Sequence, residues 1–219
     1  MKRKQTFNIL NWALGTLLCT LGVAFCTKAD FGLSMIAAPP YILHVFLRDF
    51  FPWYTQGTSE YCFQALTLIL TCLIIRQFRP KYLLSFVSSV ISGLTLDGWL
   101  FVLGGNGVYA SLGIRILTFV IGSALISLGV AFFFRTTLPI QIPELAVSEI
   151  AHRYGFDQSK TKLIYDCIML AVAVTLTLTL THGWTGVGIG TILVTFINAP
   201  MIAFFCKIID KLEGGQVNA

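Results

Sequence analysis

Gly22-Val23-Ala24-Phe25 recurs as Gly129-Val130-Ala131-Phe132, an offset of 107 residues. At that offset Gly15 meets Gly122, Leu18 meets Leu125, Leu21 meets Leu128 and Lys28 meets Arg135. The same order follows each copy: a basic residue, a short proline-containing apolar segment, then two long apolar runs. Matched glycines, a matched cation and matched architecture indicate duplication, with residues 7–103 as the first repeat and 110–212 as the second. Gly15, Gly22, Gly122 and Gly129 are helix-packing positions on this reading. Seven-residue spacing puts each pair on one face of its helix, and small residues let helices approach closely. A gating hinge is the alternative role for them.

Composition names the solvent. The 219-residue chain is 56% hydrophobic and only 11% charged, against about 25% charged in soluble domains. So little polar surface cannot coat a water-facing particle, and lipid must cover much of it. The whole of 1–219 is expected to form one membrane domain, with 213–219 as a polar tail. The net charge of +5 does not indicate nucleic acid, because the basic residues sit at the ends of apolar runs.

A helical span needs about 20 mainly apolar residues. Six segments qualify: Phe7–Thr27, Ser59–Ile75, Tyr82–Leu103, Ala110–Phe134, Leu163–Leu180 and Val187–Cys206. The first follows Lys2-Arg3-Lys4 as a signal peptide would, but it is too long for a typical signal core and is read as a retained helix. Phe31–Leu47, with Pro39-Pro40, and Leu138–Ile150, with Pro139 and Pro143, are shorter and broken by proline.

Loop charge decides whether those two segments cross. With six spans and a cytoplasmic N-terminus, the inner side holds Lys2, Arg3, Lys4, Arg76, Arg79, Lys81, Arg135, Arg153, Lys160, Lys162, Lys207 and Lys211. The outer side holds only Lys28, Arg48 and Arg115. If Phe31–Leu47 crossed, later loops would change sides and the bias would collapse. Both segments are therefore read as re-entrant or interfacial, with both termini cytoplasmic. Gly104-Gly105-Asn106-Gly107 and His182-Gly183-Trp184 are outer turns, and Phe50–Tyr54 is an interfacial aromatic cluster.

Three spans per repeat is an odd number, so the second copy enters the membrane from the opposite side. The expected fold is an all-α membrane protein: six transmembrane helices in two inverted three-helix repeats, each with its proline-broken segment. Such segments leave backbone groups at membrane depth, which is tolerated only against protein or a water-filled cavity. Transporters with this layout hold their solute between the repeats near the midplane.

Within these segments several residues are candidates for function. Asp97 lies inside an apolar run, where a carboxylate costs at least about 2.5 kcal/mol unless paired or wetted. It can bind a cation, relay a proton or hold a substrate amine; a structural pairing is the other reading. Lys28, Asp30 and Arg135 either snorkel to the interface or steer a charged solute at cavity mouths. Ser34, Pro39, Pro40, Pro139, Gln141, Pro143 and Glu144 line the broken segments, where helix ends present dipoles to a ligand. Arg115 either reaches outward or pairs with Asp97. Lys162 and Asp166 form a surface i, i+4 pair. Asn198 and Pro200 interrupt the last span, as a kink or with Asn198 facing a cavity.

Other chemistry finds little support. Cys19, Cys26, Cys62, Cys72, Cys167 and Cys206 lack C-x-x-C spacing and read as small buried hydrophobes. His44, His152 and His182 lack metal-ligand spacing. No nucleophile elbow or phosphate-binding loop occurs, and Gly186-Val187-Gly188-Ile189-Gly190 reads as helix packing. No enzyme activity, cofactor or metal is expected.

The run Ala13-Leu14-Gly15 through Gly22-Val23-Ala24-Phe25 to Lys28-Ala29-Asp30-Phe31-Gly32-Leu33-Ser34 resembles the opening of YczE/YyaS/YitT-type bacterial membrane proteins. Ser92-Gly93-Leu94-Thr95-Leu96-Asp97 resembles their third span with its buried Asp. Gly183-Trp184 through Gly186-Val187-Gly188-Ile189-Gly190-Thr191 and Ala199-Pro200 resembles their last. Met35 departs from the usual Pro after Ser, and Leu138-Pro139-Ile140-Gln141 departs from Gly-Pro with an acidic residue near. The resemblance implies a six-helix bacterial inner-membrane protein and no particular activity. Size and layout are also similar to the substrate-binding components of energy-coupling-factor vitamin transporters.

Two functions fit these features. One is a small-solute transporter, or the membrane-embedded binding subunit of one, with an energising partner. The other is a non-transporting factor that regulates a membrane partner through helix contacts. The expected partners are thus the lipid bilayer, an unknown small solute and a membrane protein.

Overall fold

The computed structural model describes residues 2–105, 107–181 and 183–212. Asn106, His182 and the tail 213–219 lie outside the described residues. Eight α-helices account for most of the chain: α1 Lys2–Ala29, α2 Ala38–Leu47, α3 Gln56–Ile75, α4 Lys81–Val102, α5 Leu112–Phe133, α6 Ile142–Tyr154, α7 Gln158–Leu176 and α8 Ile189–Leu212. A π-helical turn, Thr177–Thr181, extends α7. Six helices are long and apolar enough to cross a membrane: α1, α3, α4, α5, α7 with its π turn, and α8. They match the six runs read from the sequence to within a few residues, except that α8 continues past Cys206 to Leu212.

The prolines do not break helices in the way the sequence suggests. Pro39 and Pro40 lie in the first turn of α2, and Pro143 lies in the first turn of α6. Proline fits there because the first N–H groups of a helix have no internal partner to lose. Each proline therefore starts a short helix, and the irregular chain precedes it. Pro200 lies inside α8, which remains one helix through it.

The two short helices begin well inside the bundle. Ala37, Ala38 and Ile42 of the α2 segment are buried with Cys26 of α1, Ile126 of α5 and Ala173 of α7. Ile142, the first residue of α6, is fully buried with Leu68 of α3 and Tyr82 of α4. The chain leading into α6 runs along α4: Ser88 donates to the Pro139 carbonyl at 2.8 Å, and Gln141 donates to Ser92 at 3.0 Å. At its far end the Tyr154 hydroxyl donates to the Ile74 carbonyl, at the end of α3, at 2.7 Å. Thus α6 starts beside the middle of α4 and runs out to the face where α3 ends. The segment before α2 is held by Leu33 N–H donating to Gly186 O at 2.9 Å and Gly190 N–H donating to Phe31 O at 2.8 Å. Gly186 and Gly190 serve this backbone exchange, and Gly190 also keeps the packing role read from the sequence, since a Cβ there would lie 2.7 Å from the Phe119 ring of α5.

The central contact joins α1 to α5, which run antiparallel. A Cβ at Gly22 would lie 2.6 Å from the Gly122 carbonyl oxygen, and one at Gly122 would lie 2.8 Å from that of Gly22. Gly15 and Gly129 oppose each other in the same reciprocal way, at 3.0 and 2.8 Å. Between the two pairs, the Cys19 thiol meets the Ile126 carbonyl at 3.5 Å. The four glycines thus let two backbones touch over two turns. Around this seam α4 packs on α1 and α8 packs on α5, while α2 lies against α3 and α7, and α6 against α3, α4 and α7.

One pair departs from this evenness. Gly57 and Gly93 bring α3 and α4 together backbone to backbone, whereas α7 and α8 stand apart. Between them opens an apolar crevice of about 450 Å³ lined by Leu170, Val174, Trp184, Val187, Ile192 and Thr195. All six cysteines are free, but Cys62 and Cys167 are exposed on the outer surface, which corrects the expectation that all are buried.

The seam makes a specific demand on residue size. Gly22→Ala gains about 1 kcal/mol of helix propensity but drives a methyl into the α5 backbone. The expected outcome is a net loss of ~1–3 kcal/mol, read as a lower melting temperature in detergent. Gly98→Ala, in the same kind of helix with nothing within 4 Å of the added Cβ, should leave the melting temperature unchanged or raised.

Candidate functional site

The polar face of α3 organises the interior. Gln56, Glu60, Gln64, Thr67 and Thr71 follow one another at helical spacing and so share one side of the helix. Gln56, Gln64, Thr67 and Thr71 are buried, although α3 is apolar enough to span a bilayer. The Gln64 amide donates to the Glu60 carboxylate at 2.9 Å, and its carbonyl accepts from Ser89 of α4 at 2.5 Å. Thr71 and Thr67 return their hydroxyls to the backbone one turn back, at 2.7 and 3.0 Å. At the top of this row Gln56 donates to Thr27 of α1 at 3.0 Å, while its carbonyl oxygen is buried without a donor.

Glu144 approaches this face from α6. It stands in the first turn of that helix, where unpaired N–H groups and the helix dipole favour a carboxylate. Glu60 and Glu144 lie within electrostatic range of each other. Both side chains are half-buried where α6 packs on α3. The third wall is α7. Its Tyr165 lies within electrostatic range of Glu60, Glu144 and Asp166, and its enclosed hydroxyl, near Thr67, makes no hydrogen bond of full geometry. Lys162 reaches Asp166 at 2.9 Å, forming the i, i+4 pair read from the sequence.

The other candidates do not join this group. Asp97 accepts from the Thr55 hydroxyl at 2.6 Å and from the Gly57 N–H at 2.7 Å. Thr55 in turn accepts from the Thr58 N–H at 3.0 Å. Asp97 thereby closes the N-terminus of α3, which gives its structural reading a full set of partners. Arg115 pairs with Asp30, at 3.4 Å, and not with Asp97; it also donates to the Ala29 carbonyl at 2.7 Å and lies 4.9 Å from the Phe31 ring centre. Lys28 is buried, donates to the Gly105 carbonyl at 2.9 Å and sits over the Tyr109 ring. Arg135 binds the Cys206 carbonyl at 2.7 Å and the Asp210 carboxylate. Ser34 accepts from the Ala37 N–H at the start of α2, at 3.4 Å. Asn198 accepts from Ser127 of α5 at 2.7 Å and ties α8 to the seam. Of the sequence candidates, Gln141, Pro143 and Glu144 lie at the inner end of α6.

Sequence reading passes over Glu60, Gln64 and Tyr165. The signal is present as a polar residue at every turn of α3. It also passes over Glu149, which fastens the outer end of α6. Glu149 accepts from Lys81 at 2.6 Å and from Tyr82 at 2.8 Å, and lies 3.5 Å from Arg79. Burial alone would push its carboxyl up, but Lys81, Tyr82 and Arg79 outweigh that and hold it below the ordinary carboxylate value. A cleft of about 130 Å³ beside it is lined by Gln77, Arg79, Glu149, His152 and Arg153. Its carboxylate is already fully bonded, so this cleft is a fastening and not a solute site. Among the described residues no cluster of His, Cys, Asp and Glu is arranged to hold a metal.

Six spanning helices, two short helices that begin inside the bundle and a polar interior define a multipass membrane protein. The chain belongs to the family of unknown function DUF6198, which it matches over residues 6–207. It is similar to the uncharacterized protein YyaS of Bacillus subtilis (strain 168), with 25% identity over 203 residues, 91% of this chain and 92% of the relative. These matches support the YyaS-type likeness and do not reach its YczE or YitT part. No solved structure matches the chain.

Two fastenings can be tested separately. Asp97→Ala leaves the Gly57 N–H unpaired and should cost about 1–2 kcal/mol of stability; Asp97→Asn, which keeps an acceptor, should cost less. Glu149→Gln should lower stability at neutral pH by on the order of 1 kcal/mol, given the partly exposed partners. Because the folded-state value is depressed, the stabilisation is complete above the ordinary value of 4.5. It is lost as pH falls through the folded value. Melting curves of wild type and variant should therefore converge in acid.

Proposed function

We propose that the protein is a small-solute transporter, or the membrane-embedded substrate-binding subunit of one, in a bacterial cell membrane. Its site lies between two inverted repeats near the midplane, and both termini are cytoplasmic. The observation that carries this reading is the polar face of α3, with Glu60 and Gln64, meeting the first turn of α6, with Glu144. A purely structural bundle has no use for Glu60, Gln64 and Glu144 at that depth, where each must be kept paired or wet.

Reciprocal contacts support the inverted repeat. Gly15 opposes Gly129 and Gly22 opposes Gly122, which is the pattern of two copies related by an in-plane two-fold axis. Lys28 in the last turn of α1 binds a carbonyl beyond the end of α4, and Arg135 after α5 binds one near the end of α8. Arg115 of α5 binds residues 29 and 30, while Asn8 of α1 binds residues 136 and 137. Lys28 and Arg135, Asn8 and Arg115, and residues 29–30 and 136–137 are each separated by the offset of the sequence repeat. The short helices α2 and α6 are then the re-entrant elements, starting inside and returning to the face they left. The inner bias of Lys and Arg supports cytoplasmic termini.

The second reading, regulation of a membrane partner through helix contacts, draws on α7 and α8. Only 11% of each of their spanning windows is buried, against 33–44% for the other four spans. An energising partner of a binding subunit would use the same surface.

Cysteine accessibility tests the site without knowing the solute. In a cysteine-free background, Thr67→Cys on the polar face should react with a hydrophilic thiol reagent. The rate should exceed that of Ile69→Cys, on the exposed apolar face, by roughly tenfold or more, because the thiolate form needs water. Equal inertness of the two would defeat the site.

A further inference from the structure

We infer that the solute is a hydrogen-bond-donating cation of the protonated-amine class, held between Glu60 of α3 and Glu144 of α6. This rests on the site reading above and specifies its ligand.

The inference comes from what the interior lacks. On the side of α3 that carries Glu60, the unmet groups are the Gln56 carbonyl oxygen and the Tyr165 hydroxyl. The Gln56 carbonyl oxygen lies on the Glu60 face one turn away, in a side chain only 2% exposed, and has no donor. One Glu60 oxygen accepts from Gln64. Glu144 accepts from its own backbone N–H at the start of α6. The Tyr165 hydroxyl is enclosed beside both carboxylates, with no hydrogen bond of full geometry. A ligand that satisfies this set must bring hydrogen-bond donors.

Charge points the same way. Among the described residues neither Glu60 nor Glu144 has a cation within salt-bridge distance. Lys162 lies in electrostatic range of Glu144, but its ammonium is bonded to Asp166. The remaining cations near the core are committed at the two faces: Lys28 to Gly105, Arg115 to Asp30, Arg135 to Asp210, Arg79 and Lys81 to Glu149. Two carboxylates in mutual range inside a bilayer repel each other and any anion. A neutral polyol would answer the acceptors but not the charge. A bare metal ion needs a fuller oxygen shell than two carboxylates provide, and no three-ligand cluster exists among the described residues. An ammonium group answers both needs.

The test is calorimetric titration of the purified full-length protein with methylammonium, putrescine, tetramethylammonium, sodium, acetate and glucose. Saturable binding of methylammonium or putrescine is expected. Tetramethylammonium, a cation without N–H groups, should bind more weakly. Glu60→Gln and Glu144→Gln, which preserve shape, should each weaken amine binding by roughly tenfold or more. Tyr165→Phe should weaken it less. Thermal melts of each variant establish that it is folded. Amine binding unchanged in the Glu60→Gln, Glu144→Gln double variant overturns the inference, as does binding of sodium alone. Acetate or glucose binding that is lost in Glu144→Gln overturns the cation class while keeping the site. Absence of binding by every probe, with Thr67→Cys still reactive, also overturns the class and leaves the site reading standing.

Discussion

Everything else in the bundle hangs on the backbone-to-backbone approach of α1 and α5. Helices in lipid gain little from hiding apolar side chains, because the solvent is itself apolar. Close packing has to supply the cohesion. Gly15, Gly22, Gly122 and Gly129 remove the side chains that would hold the two axes apart. The antiparallel register that results places the ends of α1 and α5 at opposite faces. From there Lys28 and Arg115 organise one face, and Arg135 with Asn8 organises the other.

That rigid pair lets the rest of the bundle do what lipid normally forbids. Irregular chain at membrane depth is tolerated only where protein satisfies its polar groups. Here Ser88 and Ser92 serve the segment entering α6, and Gly186 and Gly190 serve the segment entering α2. With those groups satisfied, α6 can begin inside and present Glu144 to the polar side of α3. The side of α3 that α6 meets is thus polar, with Gln64 bonded to Glu60 and Ser89, and Thr67 and Thr71 bonded to the backbone.

Much of this architecture is legible in the residues. Length and apolarity alone locate the six spans, because the bilayer imposes one dimension on all of them. Loop charge sets the two proline-bearing segments apart, and duplication points to the glycine seam. The misreadings share a physical cause. Proline reads as a helix breaker where it in fact starts a helix, since only the backbone partners distinguish the two. Asp97 stands out as a carboxylate in an apolar run, but its partner is the Gly57 N–H. That group is in reach only because α3 and α4 touch at Gly57 and Gly93. Glu60 is hidden by its position near the start of an apolar run, where an acidic residue resembles a helix end. Its meaning depends on Gln56, Gln64 and Thr67 sharing its side, which a count of hydrophobic residues does not register. Tyr165 has no signal of its own, because its value lies in what α6 brings near it.

The last helix is attached unlike any other. It lies along α5 and stands clear of α7, moored by Asn198 at mid-length and by Asp210 near its end. A rod fastened along one edge turns about that edge with few contacts to break. The slot between α7 and α8 is lined by apolar side chains, so hydrocarbon and not water is its natural filling.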